Sequence, residues 1–320
     1  MRMIVYGAGA VGGVLGAYLH LSGRPVVLIA RGEHLAAIRE HGLTLQDGTG
    51  SRTVDVPVAA GPAEIAWQDG DVVLLAVKGE DTEAALRELA ACAPATTPVV
   101  CLQNGVDNER RALRAFEHVY GVCVMSPTSH LTPGVVRADC HPVPGLLDIG
   151  RFPSGTDTTA ELIAAAFRAA GYGSEPRSDI MRWKYGKLLR SVGNAVDAVC
   201  ERGDGFGEIA AQARAEAVAV LDAAGIAYTP KDEDDARRAD ILKPAFTDAR
   251  GGGSSWQSLA RGTGHIEADQ LSGEIVLLAR LQCLPAPYNE NARRWANRFA
   301  REGRAPASLA PADWLATLGG

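Results

Sequence analysis

Met3-Ile4-Val5-Tyr6-Gly7-Ala8-Gly9-Ala10-Val11-Gly12-Gly13 is the stretch that decides the reading of this chain. Residues 3–6 are apolar and favour a strand, and residues 11–22 read as a helix. Between them lies a G-x-G-x-x-G turn. Gly7 permits the tight turn, Gly9 leaves its backbone open to close approach, and Gly12 lets the helix pack hard on the sheet. Unpaired N–H groups at the helix start, together with its dipole, favour an anion there. Gly7, Ala8, Gly9, Ala10, Val11 and Gly12 are therefore expected to line the pyrophosphate of a dinucleotide. A glycine pattern alone is weak evidence. Here a strand precedes it, a helix follows, and a second strand, 25–30, ends at a fitting distance.

The end of that second strand reads Ile29-Ala30-Arg31-Gly32. About 20 residues beyond the glycines, NAD sites place a carboxylate against the ribose 2′-hydroxyl. A guanidinium pairs instead with a 2′-phosphate. Arg31 thus points to NADPH, the competing reading being a solvent-facing loop arginine.

Working outward, apolar runs alternate with helical stretches. Strands are expected at 71–77, 98–102 and 119–125, and helices at 32–41 and 81–91. Runs that are apolar throughout indicate a parallel sheet covered on both faces. Weaker segments at 134–137 and 146–150 read as a late hairpin closing the sheet edge. A helix is expected at 158–170. After residue 178 only helices are expected, near 179–199, 206–225, 231–242, 254–261, 266–282 and 289–302. The expected fold is α/β: a Rossmann doubly wound parallel sheet over residues 1–175, then an all-α domain over 176–320 for substrate binding and dimerisation. Whether the Ala-rich helices near 195–225 and 266–282 pack within one chain or form a homodimer interface stays open.

Composition narrows the function classes. With 320 residues, two domains are the natural expectation. The formal charge of −6 makes nucleic acid and anionic membrane poor partners. Arg293, Arg294, Arg298 and Arg301 form a basic helix face that, in an acidic chain, reads as a solvated face. The run Ile4–Tyr6 is far too short for a signal peptide or a membrane span, so a cytoplasmic protein is expected. The six cysteines are scattered singly and read as reduced core thiols, with a catalytic cysteine the minor alternative. The seven histidines show no ligand spacing, and no metal is expected.

The chain resembles the ketopantoate reductase (2-dehydropantoate 2-reductase) family. The resemblance rests on the Gly7–Gly13 turn, Arg31, Val77-Lys78, Gln103-Asn104-Gly105, Trp183-Lys184-Tyr185-Gly186-Lys187-Leu188-Leu189, and Ser254-Ser255 with Glu267 twelve residues after Ser255. It implies reduction of a small 2-keto acid by NADPH. Lys187 matches the family's catalytic lysine, since hydride arriving at a ketone carbon leaves an alkoxide that needs a proton donor or cation. Residue chemistry alone would make Lys187 a solvated helix face. Glu267 matches the family's second-domain carboxylate, and is implied to anchor a substrate hydroxyl or the ribose and nicotinamide region, and to hold Lys187 in position. On its own it reads as a helix N-terminal residue. Ser255 matches a serine that contacts the substrate carboxylate, and otherwise reads as an N-cap. Lys78 and Asn104 follow strands and are implied to lie beside cofactor and substrate; otherwise they are a surface lysine and a turn former.

The chain also departs from the family. Ser191 stands four residues after Lys187, where the family often has asparagine, and Asn194 falls one residue short of another such position. Both remain expected substrate contacts. Gly252 stands where an asparagine can contact substrate. Three readings follow: ketopantoate reduction, reduction of a bulkier 2-keto acid or a related dehydrogenase reaction, and a non-catalytic NADPH-binding sensor.

Overall fold

A computed structural model describes residues 1–239, 241–246, 252–262 and 264–318. The chain divides into two compact units, Met1–Lys184 with Asp232–Thr247, and Tyr185–Lys231 with Asp248–Gly320.

The first unit runs β1 (Arg2–Tyr6), α1 (Ala10–Leu21), β2 (Val26–Ile29), α2 (Gly32–His41), β3 (Leu43–Asp47), β4 (Gly50–Val54) and β5 (Val58–Ala59). It continues with β6 (Asp71–Leu75), α3 (Thr82–Ala90), β7 (Val99–Cys101), α4 (Asn108–Ala112), β8 (Val119–Met125), β9 (Thr128–Ser129), β10 (Val135–Ala138), β11 (Leu146–Arg151) and α5 (Thr158–Ala169). Seven strands form one sheet in the order β11-β8-β7-β6-β1-β2-β5. Every pair is parallel except β11 with β8.

Side chains alternate across a strand, so β1 feeds two cores. Met3 and Val5 pack with α1 and α5 residues such as Leu15, Leu19 and Phe167. Ile4 and Tyr6 pack on the opposite face with Leu86 and Leu89 of α3. Burial on both faces is why the strands read as unbroken apolar runs. Strand order reverses between β1 and β6, and the carboxyl ends beside such a reversal are where α/β sheets bind ligands.

The expected hairpin at 134–150 does not form. β10 pairs in parallel with β3 and antiparallel with β9 in a second sheet, β4-β3-β10-β9, while β11 alone closes the main sheet. Leu43, Leu45, Val136 and Ala138 of this small sheet are buried in the same core as α1. Asp47-Gly48 begins the turn between β3 and β4, a signal the sequence carried.

The helices are α6 (Ile180–Ser191), α7 (Asn194–Val199), α8 (Phe206–Ala223), α9 (Lys231–Arg238), α10 (Ser254–Ala260), α11 (Ser272–Leu281), α12 (Pro287–Glu302) and α13 (Pro311–Ala316). The expected helix over 179–199 is two helices meeting at Val192-Gly193, and that over 266–282 starts only at Ser272. The units are drawn differently from the expected spans 1–175 and 176–320. Ile180 and Trp183 are buried with Cys123, Met125 and Leu146, and Ile241 and Leu242 pack on the same cluster. Arg237 clasps buried Asp148 through two hydrogen bonds of 2.9 and 2.7 Å. These contacts hold the start of α6 and the 232–247 segment in the first unit.

The second unit is built on Val196, Val199, Ile209, Leu259, Ala296, Phe299 and Trp314. Glu216 of α8 accepts from the backbone N–H groups of Tyr288 and Asn289, at 2.9 and 3.0 Å, capping the start of α12.

The glycines of the first turn differ in what they exclude. A Cβ on Gly12 would lie 2.1 Å from Gly7 O and 2.9 Å from Ala76 Cβ, whereas one on Gly9 would meet nothing within 4 Å. Gly12→Ala is expected to destabilise the protein by about 1–3 kcal/mol or more, and Gly9→Ala by less than about 0.5 kcal/mol. Urea unfolding of both variants checks this.

Candidate active site

β1 ends at Tyr6, and the backbone turns at Gly7 with φ +106°. A Cβ there would sit 2.7 Å from Val77 N, so the turn is pressed against the segment that follows β6. Gly9 caps α1 without a side-chain bond, and the first turn of α1 carries no acidic residue. Open space over Gly9, bare main chain and a helix N-terminus form a cradle that suits a diphosphate. Nothing in the protein's own packing calls for glycine at position 9, where a Cβ would meet nothing within 4 Å.

His34 steadies this cradle. Its Nδ1 accepts from Gly134 N–H at 2.9 Å, so its Nε2 carries the proton and donates to Ala8 O at 2.7 Å. The His130 ring lies 4.2 Å away, centroid to centroid. Burial, and then the His130 charge, lower the pKa of His34.

Arg31 precedes α2, exposed, with Asp81 Oδ2 3.7 Å from its guanidinium. Tyr6 donates to Glu88, and burial followed by that bond pushes the Tyr6 phenol far up. The carboxylate beside Arg31 was not foreseen. Exposed pairs of this kind are worth roughly 0–1 kcal/mol, so the guanidinium can turn to a stronger anion at little cost.

Lys78 and Asn104, both half-buried, follow β6 and β7, which are neighbours in the sheet. Gln103 lies between them, donating through Nε2 to Val77 O at 2.8 Å. Lys184, the other lysine of the Trp183–Leu189 motif, is buried. Its ammonium pairs with buried Glu109 and donates to Gln103 O at 3.2 Å. That ammonium is spent inside the first unit. Neither Glu109 nor Gln103 was singled out for this role in the sequence, because their partners lie about 75 and 81 residues away.

The second unit carries Lys187, Ser191, Asn194, Ser255 and Glu267. Lys187 is half-buried, and its carbonyl accepts from Ser191 Oγ at 3.0 Å. Ser191 ends α6 and Asn194 begins α7, so the two flank the helix break. A Cβ on Gly253 would lie 3.6 Å from Asn194 Oδ1, which places Asn194 against the start of α10. Ser255 is buried and is not an N-cap; Gly253 holds that place. Gly252 has a local reason: a Cβ there would meet the Trp256 ring at 2.5 Å. Glu267 lies before α11 rather than in its first turn, and is buried. Its charge supports Arg261, whose pKa burial lowers. Arg261 is thus a charged neighbour of Glu267 that sequence reasoning missed.

Burial pushes the Cys101 thiol up, and that of Cys200 up to about 12, so neither is a ready thiolate. Among the described residues no group of three His, Cys, Asp or Glu could hold a metal ion, and no helix is long and apolar enough to cross a membrane. Arg293, Arg294 and Arg298 pair with Glu290, Glu290 and Glu302 along α12.

Comparison with known proteins gives one answer for both halves. Residues 3–154 match the family described as ketopantoate reductase PanE/ApbA, and residues 179–294 match its C-terminal part. The 2-dehydropantoate 2-reductase of Pyrococcus horikoshii is 29% identical over 298 residues, covering 90% of this chain and 94% of that one. That of Archaeoglobus fulgidus is 28% identical over 285 residues, covering 86% and 90%. The crystal structure of a PanE/ApbA family ketopantoate reductase from Ralstonia eutropha superposes with a TM-score of 0.80 at 30% identity, covering 95% and 99%. D-Mandelate dehydrogenase with NADH and anilino(oxo)acetate shares the fold, with a TM-score of 0.80 at 22% identity over 95% and 99%.

His34 gives this site a pH dependence. Above its ordinary value of 6.5 the ring is neutral in both folded and unfolded chains. Below that value the unfolded chain takes up a proton that the folded chain resists, so stability falls as pH drops. Unfolding midpoints are expected to fall more steeply between pH 6.5 and 5 in the wild-type chain than in His34→Gln.

Proposed function

The chain belongs to the ketopantoate reductase PanE/ApbA family, and on that premise we propose that it transfers hydride from NADPH to the keto carbon of a 2-keto acid, with 2-dehydropantoate as the leading substrate. As a family member it is an oxidoreductase of CH–OH groups that uses a nicotinamide cofactor. The observation that carries the reading is the cradle at Gly7–Gly12, where open space over Gly9 meets the start of α1.

Gly7, Ala8, Gly9, Ala10, Val11 and Gly12 would hold the diphosphate, and Lys78 and Asn104 the adjoining cofactor and substrate groups. Arg31 would turn from Asp81 to the 2′-phosphate, a charge-assisted contact stronger than the exposed pair it leaves. When bound, the reduced nicotinamide supplies the hydride. As the carbonyl carbon accepts it, the C=O electron pair moves to oxygen. Lys187 Nζ then gives that oxygen a proton and stabilises the charge that precedes transfer. The burial of Lys184 against Glu109 supports Lys187 as the donor, since the other lysine of the motif is already engaged. Ser255 is assigned to the substrate carboxylate, Glu267 to a substrate hydroxyl, and Ser191 and Asn194 to the substrate chain.

A second reading keeps the chemistry and changes the substrate. Ser191 is short, and Trp256 fills the space that a side chain at 252 would need. Fewer amide donors and a short side chain at 191 favour a bulkier, less polar 2-keto acid. Following NADPH absorbance across a panel of 2-keto acids decides between them; no oxidation with any member would sink both and leave the sensor.

Lys187→Ala is expected to lower kcat roughly 10²–10⁴-fold, with the NADPH Kd nearly unchanged. Wild-type turnover in that variant would remove Lys187 from the chemistry. Arg31→Ala is expected to cut the preference for NADPH over NADH about tenfold, and Asp81→Asn to raise it. Paired kcat/KM measurements with the two cofactors check both signs.

A further inference from the structure

Two loops of the first unit, after β6 and after β7, are joined by a buried network of polar side chains that runs beside Lys78 and Asn104. Thr82 Oγ1 is its centre. It accepts from Gln103 Nε2 at 2.8 Å and donates to Asn108 Oδ1 at 2.9 Å. Gln103 Nε2 also donates to Val77 O at 2.8 Å, one residue before Lys78. Asn108 Nδ2 donates to the carbonyl of Asn104 at 2.9 Å. From the other side Lys184 Nζ donates to Gln103 O at 3.2 Å while paired with Glu109. All five side chains are buried, Thr82 and Glu109 completely.

Stability alone is a poor reason for this arrangement. A buried ion pair can often be replaced by apolar residues of similar volume with no loss of stability. What a connected polar network adds is a single geometry, and here it does so although Gln103 Oε1 and Glu109 Oε2 accept no hydrogen bond among the described residues. Here the Val77 carbonyl, the Gln103 side chain and carbonyl, and the Asn104 carbonyl are each held. The backbone on either side of Lys78 and Asn104 is thereby fixed in both loops. Misplacement by about 1 Å can cost an enzyme roughly 10²-fold.

We propose that Thr82, Gln103, Asn108 and the Lys184–Glu109 pair are positioning residues that fix how Lys78 and Asn104 are presented to the dinucleotide. The proposal rests on the nicotinamide-dependent reading above. It also gives Lys184 a function other than proton donation.

The test uses the full chain and compares Thr82→Val, Thr82→Ser and the double variant Lys184→Met/Glu109→Leu. Three quantities are read: the Kd for NADPH by fluorescence titration, kcat and KM for NADPH with the best 2-keto acid, and the thermal midpoint. Thr82→Val is expected to raise Kd and KM about tenfold, with kcat within about threefold. Thr82→Ser, which keeps the hydroxyl, stays within about twofold of wild type. The double variant melts at or near the wild-type temperature and still shows the raised Kd. A folded Thr82→Val or double variant with wild-type Kd overturns the proposal and leaves the functional reading standing. So does a Thr82→Ser chain as impaired as Thr82→Val. Failure of Thr82→Val and the double variant to fold makes the network purely structural and likewise overturns it. Absence of dinucleotide binding in the wild-type chain overturns both readings at once.

Discussion

The structure depends on an absence of atoms where β1 passes into α1. A Cβ at Gly12 would lie 2.1 Å from Gly7 O, at Gly13 2.6 Å from Ala8 O, and at Gly16 2.4 Å from Leu28 Cδ2. Three bare positions along α1 let it lie close enough to the sheet for its first turn to face the crevice at the β1–β6 reversal. That approach sets where the amides at the start of α1 point. It also brings Gly7 against Ala76–Val77, so the glycine turn and the loop before Lys78 share one geometry.

Charge is handled in two distinct ways around this site. Where the chain needs a fixed shape, charges are buried in pairs: Lys184 with Glu109, and Asp148 with Arg237 and Arg177. Elsewhere charge is left exposed and weakly held, as Arg31 is by Asp81. The first kind is costly to break because a lone buried charge remains. The second is easily rearranged because water screens it. His34 joins the two, its neutral ring bridging the Ala8 carbonyl and the Gly134 amide.

Legibility differed by element for physical reasons. The main sheet was readable because both faces are buried, so Ile4–Tyr6 and Val119–Met125 are apolar without interruption. The small sheet was not. In β3 burial alternates, Leu43 and Leu45 inward and Thr44 and Gln46 partly out, and its partner β10 lies some 90 residues away. The late hairpin was misread because adjacency in sequence suggested a pairing that the α1 core overrode. Helix content in the second unit was legible from periodicity, but Gly193 breaking α6 from α7 and the late start of α11 were not. Ser255 and Glu267 were found through resemblance. Their burial, and Arg261 beside Glu267, emerged only from packing.

The sequence by itself determined the strand–glycine–helix turn, the parallel sheet, the helical second half and the residue types that bear on hydride reduction. These are local: spacing and polarity along a few residues decide them. Folding adds that Lys184 is spent in an ion pair with Glu109, that Trp256 leaves no room for a side chain at 252, and that Gln103 spans two loops. Each of these depends on partners brought together from distant parts of the chain or on the volume left by a neighbouring ring. No local pattern encodes either.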